Sequence, residues 1–305
     1  MKKIDVYAYG VISASTLHLL NQPFPQPDGY AEISETYFMT GGEALNSAIV
    51  LSRLRLRVQL DGNWIGDNQR GADLLAIINK HNIDAKRLSI VKGYAGVQEI
   101  VFSDERSRTI FGNYIDLLTS TRKWNIPQKE DIQNARMVSV DPPFFSESEL
   151  VANYAIELGI PYVSIDYAYH SILSTYASAV IISGEFRNRE YPDVPLIELF
   201  QAYQTHAQGL VVFTVGSEEI LYGRKRSAIM RYKPYPVKVI DSSGAGDSFR
   251  AGMIYGMLKN WNDEQTIQYA SAVAGMVCAS FPGVLNSPTA EEVALFIQQH
   301  SQPAS

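Results

Sequence analysis

Cysteine is nearly absent: Cys278 stands alone among 305 residues. One cysteine excludes an internal disulfide framework and suits a reducing cytoplasm, the expected location. It lies in the apolar run 270–279, where a buried, inert thiol is expected. No stretch approaches the ~20 apolar residues of a membrane span. The N-terminal Met1-Lys-Lys-Ile-Asp-Val lacks a continuous apolar core, so no signal peptide is read there. Basic charge is also short. Lys and Arg total 26 against 32 Asp and Glu, a net charge of −6, which argues against nucleic acid or an anionic membrane as partner. There is no internal repeat and no low-complexity tract. The pattern Gly-x-x-x-x-Gly-Lys-Ser/Thr occurs nowhere. What is present is ordinary apolar content, 46%, enough for one large α/β domain.

The most informative stretch is Ile240-Asp-Ser-Ser-Gly-Ala-Gly-Asp-Ser-Phe249. Val237, Val239 and Ile240 read as the end of an apolar strand. Gly244, Ala245 and Gly246 are too small to block a ligand from the backbone. Asp247 then opens a helix with Phe249, Met253, Ile254, Met257 and Leu258 on one face. A strand, a small-residue turn and a helix start gather free N–H groups, which suits an anion. A carboxylate at the same point suits proton abstraction from a hydroxyl. Together they point to phosphoryl transfer to an alcohol. The plain alternative is a capped helix after a glycine loop. A dinucleotide fingerprint is excluded because Gly244-x-Gly246 lacks the third glycine.

Along the chain, apolar runs at 4–12, 58–65, 137–141, 162–166, 179–182 and 210–214 read as strands. Helical patterns at 73–81, 147–158, 264–279 and 289–299 lie among them. Such alternation predicts a parallel sheet. A glycine turn between 215 and 219 predicts a hairpin. Between residues 88 and 114 the rhythm changes to short β-rich runs at 88–91, 97–102 and 109–114, broken by glycines, which read as antiparallel strands. Asp141 and Asp166 end apolar strands, where ligands bind in open α/β sheets, although helix capping is the expected duty of each. Gly41-Gly42-Glu43-Ala44-Leu45-Asn46 turns into another helix, with Asn46 one turn in.

Two motifs carry a family resemblance. Asp241-Ser-Ser-Gly-Ala-Gly-Asp247-Ser-Phe249 resembles the signature of the ribokinase-like, or phosphofructokinase B-type, sugar kinases, differing only in Ser242 for the usual Thr. Gly41, Gly42, Asn46 and Ala48 match the family's second signature. The resemblance implies a three-layer α/β/α sandwich with a mostly parallel central sheet. It spans residues 1–305 as one kinase domain, with a small β lid from about 12–40 and 88–114. It implies an ATP- and Mg²⁺-dependent kinase acting on a sugar-like hydroxyl, a monovalent cation such as K⁺ as an accessory, and a homodimer formed through the lid. Asp247 is then the base, and the amides of Gly244, Ala245 and Gly246 the anion hole. Gly41, Gly42, Asn46 and Ser15 face the acceptor. Thr214, Gly216, Asp241, Ala274 and Gly275 border the nucleotide. Glu185 contacts Mg²⁺ through water.

The chain also departs from the pattern. Ser15 stands where the family has Asp, Gly184 and Arg187 replace Asn and Glu of its magnesium motif, and Glu43 replaces a frequent Lys, which argues against an already phosphorylated acceptor. Two rival readings follow: a nucleoside kinase of the same fold, and a sugar or nucleotide sensor without catalysis.

Overall fold

The computed structural model describes residues 3–104, 108–119 and 121–300. The basic start at Met1 and Lys2 lies outside them, as do residues 105–107 of the β-rich region. In chain order the elements begin with β1 (Ile4–Gly10), β2 (Ser13–Leu20), β3 (Ile33–Gly41), α1 (Glu43–Arg53), β4 (Val58–Gly62), β5 (Ile65–Gly66) and α2 (Gln69–Lys80). Next come β6 (Ile90–Val91), β7 (Gln98–Ser103), β8 (Arg108–Gly112), α3 (Tyr114–Thr119), α4 (Lys129–Asn134), β9 (Ala135–Val140), α5 (Phe145–Leu158) and β10 (Tyr162–Ile165). The chain continues through α6 (Ile172–Thr175), β11 (Ala179–Ser183), α7 (Gly184–Glu190), α8 (Leu196–His206), β12 (Leu210–Val215), β13 (Glu219–Gly223) and β14 (Met230–Tyr232). Three helices close it: α9 (Ala245–Leu258), α10 (Asp263–Cys278) and α11 (Ala290–His300).

An eight-stranded sheet runs β14-β13-β12-β11-β10-β9-β1-β4. Pairing is parallel from β4 to β12 and antiparallel through the hairpin strands β13 and β14. Strand alternation sends successive side chains to opposite faces. On β1, Val6 and Ala8 join a core built with α1, α2, α9, α10 and α11, while Tyr7 and Tyr9 join a second core with α4, α5 and α8. Helices therefore cover both faces, and the fold is a three-layer α/β architecture. Strand order reverses at β1, whose neighbours are β4 on one side and β9 on the other. A crevice at the carboxyl ends of β1 and β9 follows from that reversal, and it is where open α/β sheets bind ligands.

A second sheet, β3-β2-β7-β8, stands apart. β2 and β3 pair antiparallel, as do β7 and β8, but β2 and β7 run parallel. The antiparallel expectation for residues 97–114 holds in the β7–β8 pair, while β2 and β7 run parallel because a long crossover, not a hairpin, joins them. Residues 90–91 do not enter this sheet; they pair in parallel with Ile65 and Gly66.

Three other expectations change. Helix α2 starts at Gln69, four residues early, because Asn68 caps it by accepting from the Gly71 N–H. Residues 237–240 form no strand. Pro234 and Pro236 remove ladder donors, Val239 and Ile240 are each 58% exposed, and the segment is instead tied at Ile240 and Asp241, whose N–H groups donate to the Cys278 carbonyl. Helix α9 has no single apolar face; it is buried almost all round between α1 and α10.

Candidate active site

Two glycine turns converge on the crevice. Gly42 caps α1 with φ of 84°, and a Cβ there would lie 2.3 Å from the Val11 carbonyl oxygen. Gly244 caps α9 with φ of 73°, and a Cβ there would lie 2.3 Å from Val284 Cγ2. Neither position tolerates a side chain in that backbone state. The turns aim the first turns of two helices at each other. Asn46 Nδ2 donates to Asp247 Oδ2 at 2.9 Å, across 201 residues of chain. Thr40 Oγ1 donates to Asn46 Oδ1 at 3.2 Å, which fixes the amide with its nitrogen toward Asp247.

Asp247 is 9% exposed. Burial raises its carboxyl from an ordinary 3.8 to about 6; the Arg250 cation and the Asn46 hydrogen bond oppose the rise, and the charges of Asp141 and Glu99 add to it. Around it lie amides without partners. The N–H groups of Gly244, Gly246 and Asp247 have no hydrogen-bond acceptor among the described residues. The Ala245 N–H differs from expectation: it donates to the Ser242 carbonyl at 3.3 Å, closing the turn. A Cβ on Gly246 would meet no protein atom within 4 Å, so packing gives no reason for glycine there.

A cavity of about 460 Å³ joins these parts. Ser15, Gly41, Gly42, Asn46, Glu185 and residues 244–247 line it, and so do Glu99, Arg108 and Tyr114 from β7, β8 and the start of α3. An adjoining cavity of about 700 Å³ shares Glu43, Asp166, Ser183 and Glu185 with it. Thr214, Gly216, Asp241, Ala274 and Gly275 line neither. Asp241 folds onto its own loop, accepting from the N–H groups of Ser243 at 2.8 Å and Gly283 at 3.4 Å. Gly216 sits in the hairpin turn with φ of 56°.

Behind Asp247 lies a residue that pattern reading passes over. Arg250 is fully buried. Its Nη1 pairs with Asp141 Oδ1, its Nη2 donates to the Glu43 carbonyl at 2.8 Å, and Nε and Nη2 both donate to Ser47 Oγ at 3.1 and 2.9 Å. Ser47 Oγ in turn donates to the Asp247 carbonyl at 3.1 Å. One guanidinium thus ties the end of β9, the first turns of α1 and the backbone of α9 together. Burial alone would lower its pKa, but Asp141, Asp247 and Glu43 outweigh burial and hold it charged. Asp141 caps no helix with its side chain; its second oxygen accepts from the Val11 N–H at 3.1 Å. Asp166 likewise accepts from the Ser183 N–H and Oγ, each at 2.8 Å, while Ser183 itself caps α7. Capping as the duty of either aspartate is therefore overturned. The available signal was a cation three residues after Asp247, within an otherwise apolar helix.

The layered sheet, its reversal point and the paired helix starts define a ribokinase-type fold, and comparison bears this out. The structure of Arabidopsis thaliana ribokinase complexed with ribose and ATP superposes with a TM-score of 0.80 at 15% identity, covering 97% of this chain and 99% of that one. A family model described as pfkB family carbohydrate kinase matches residues 191–290. A 5-dehydro-2-deoxygluconokinase of Clostridium perfringens is 24% identical over 290 residues, covering 86% of this chain and 85% of the relative. An ATP-dependent ribose-1-phosphate kinase of Halopiger xanaduensis is 25% identical over 278 residues, covering 90% and 92%. The chain is thus similar to the pfkB family carbohydrate kinase model over residues 191–290, and over most of its length to relatives named as sugar kinases. Among the described residues no helix is long and apolar enough to cross a membrane.

Proposed function

We propose that the chain transfers the γ-phosphoryl group of ATP to a hydroxyl of a small carbohydrate, with Asp247 as the general base. The carrying observation is that Asp247 stands in the first turn of α9 among three unpartnered N–H groups, its carboxyl raised to about 6. A base poised near the working pH is both ionised and able to take a proton. The amides of Gly244, Gly246 and Asp247 are placed to stabilise charge on the transferring group. Asn46 holds the Asp247 carboxylate in one orientation, and Gly42 leaves the floor open for the acceptor. Ser15 and Gly41 complete that floor.

Mg²⁺, when bound with ATP, would neutralise phosphate charge. The residues present fit a water-mediated ion: Glu185 and Asp166 both face the cavities, while no group of three acids or histidines among the described residues could ligate directly. Thr214, Gly216, Ala274 and Gly275 would flank the nucleotide only where it extends beyond the cavity. The sheet of β2, β3, β7 and β8 overhangs the acceptor side and would exclude water during transfer; a homodimer through its free edges is the matching assembly.

The test is ADP release with a panel of sugars and nucleosides, for the wild type and Asp247→Asn. Loss of a general base costs ~10²–10⁴-fold in turnover. Turnover of the variant within fivefold of wild type removes Asp247 from the mechanism, and ligand binding with neither ADP release nor phosphorylation of any acceptor favours a sensor.

A further inference from the structure

The acceptor side of the cavity is walled by acidic side chains. Glu99 on β7 and Glu43 at the start of α1 face it with Asp247, and Asp166 and Glu185 follow toward the donor side. Arg108 is the one basic lining residue among those described, and its Nη1 donates to Ser243 Oγ at 2.9 Å, on the turn before α9. The remaining overhang is apolar: Leu17, Met39, Val101 and Ile110. These offer an anion no donor.

Two further observations point to what would enter. Glu43 Oε2 is buried and has no hydrogen-bond partner, although its side chain lines the cavity. A buried acceptor without a donor costs free energy until a ligand supplies one. Glu99 is held in place from the other side: the Tyr114 hydroxyl donates to its Oε1. Its Oε2 lies 2.1 Å from where a Cβ on Gly41 would stand, so the glycine makes room for this carboxylate.

We propose that the acceptor carries no carboxylate or phosphate, and that a protonated amine on a polyhydroxylated frame is its best-recognised form, received by the Glu99 carboxylate, with Glu43 as a neutral polar contact. Burial, with the neighbouring Asp141 and Asp247, pushes the Glu43 carboxyl well up. The inference rests on the reading of this cavity as the acceptor site of a kinase. In the transfer the acceptor oxygen bonds to the γ-phosphorus, the bridging bond to the β-phosphate breaks, ADP leaves, and the hydroxyl proton passes to Asp247. The amine keeps its proton throughout. Like charges brought together in a closed cavity exclude a ligand as firmly as contacts select one. The two relatives named for gluconate and ribose-1-phosphate chemistry carry anionic substrates in their names; this cavity is set against that charge.

The experiment uses one carbon frame in three charge states: D-glucitol, 1-amino-1-deoxy-D-glucitol and D-gluconate, with D-ribose and ribose 5-phosphate as a second pair. kcat/KM is measured with ATP and Mg²⁺ at pH 7.5, and the melting-temperature shift with a non-hydrolysable ATP analogue. The neutral and amine forms should exceed the acid and the phosphate at least tenfold. Glu99→Gln should cut the preference for the amine over the neutral form about tenfold, with the melting point of the variant checking its fold. The wild-type series decides alone if that variant is unstable. Acid or phosphate within threefold of the neutral form overturns the proposal while leaving the kinase reading intact. Stabilisation by neutral and amine forms only, with no phosphorylation of any, supports the charge selection and refutes the kinase reading.

Discussion

Asp247→Asn should make the protein more stable at pH 8 while making it nearly inactive. The reasoning starts from the buried carboxyl. Its folded-state pKa of about 6 exceeds the ordinary 3.8. A carboxyl raised on folding is easier to ionise in the unfolded chain, so wild-type stability is fullest below pH 4 and falls as pH rises through about 6. Each pH unit of difference is worth about 1.4 kcal/mol, so the loss approaches about 3 kcal/mol above pH 7. Asparagine cannot ionise and keeps an oxygen for the Asn46 amide donor. The variant should therefore lack this pH-dependent loss. Urea unfolding at pH 4, 5, 6, 7 and 8 reads the difference between variant and wild type. It should grow across pH 4–6 by about 3 kcal/mol and level off above. In thermal unfolding this corresponds to about 5 °C for a chain of this size. A difference that stays the same at every pH would refute the reasoning, because the stability cost would then not come from ionising Asp247. Such a trade of stability for activity is common where a site holds a charge in a low-dielectric place.

Three further outcomes follow from the same geometry. kcat/KM should fall about tenfold per pH unit below pH 6 as Asp247 takes up a proton, and Arg250→Met should move that inflection to higher pH, since Arg250 is the charge that opposes the rise; a pH–rate profile checks both. Arg250→Met should also cost ~3–5 kcal/mol in urea unfolding by leaving Asp141 buried and unpaired, and Asp141→Leu added to it should recover much of the loss. Gly42→Ala and Gly246→Ala should separate backbone strain from ligand approach: the first loses ~1–3 kcal/mol of stability because its φ is positive and Val11 blocks a Cβ, whereas the second keeps stability and loses affinity for ATP, read by calorimetry.

Much of this was legible in the chain because it depends on short-range rules. Strand–helix alternation announced the parallel sheet, and small residues before an acidic helix start announced the turn whose N–H groups stand without acceptors. Gly42, Asn46, Gly244 and Asp247 each sit within one turn of a helix start, so their spacing set the local geometry of each turn. Residues 237–240 misled because apolarity was read without weighing Pro234 and Pro236 against a ladder. The parallel pairing of β2 with β7 was not legible, since register between residues as far apart as Ala14 and Gln98 is decided by the sheet that forms and by no local pattern.

The harder failure concerns charge. Asp141 looked like a strand-end aspartate with local work, and Arg250 looked like one cation in an apolar helix. What joins them is the order of strands: β9 lies beside β1 only because the chain reverses there, and that places the carboxyl end of β9 beneath the starts of α1 and α9. An arginine at that depth is costly unless every donor is met. Here the partners are Asp141, Ser47 and the Glu43 carbonyl, each from an element that also lines or supports the cavity. The pairing therefore does two things at once. It closes three separate pieces of chain around one point, and it sets the electrostatic field in which Asp247 titrates. A replacement that preserved packing but not charge would keep the first effect partly and lose the second, which is why the inflection of the pH–rate profile, more than the melting point, is the measurement that tells them apart.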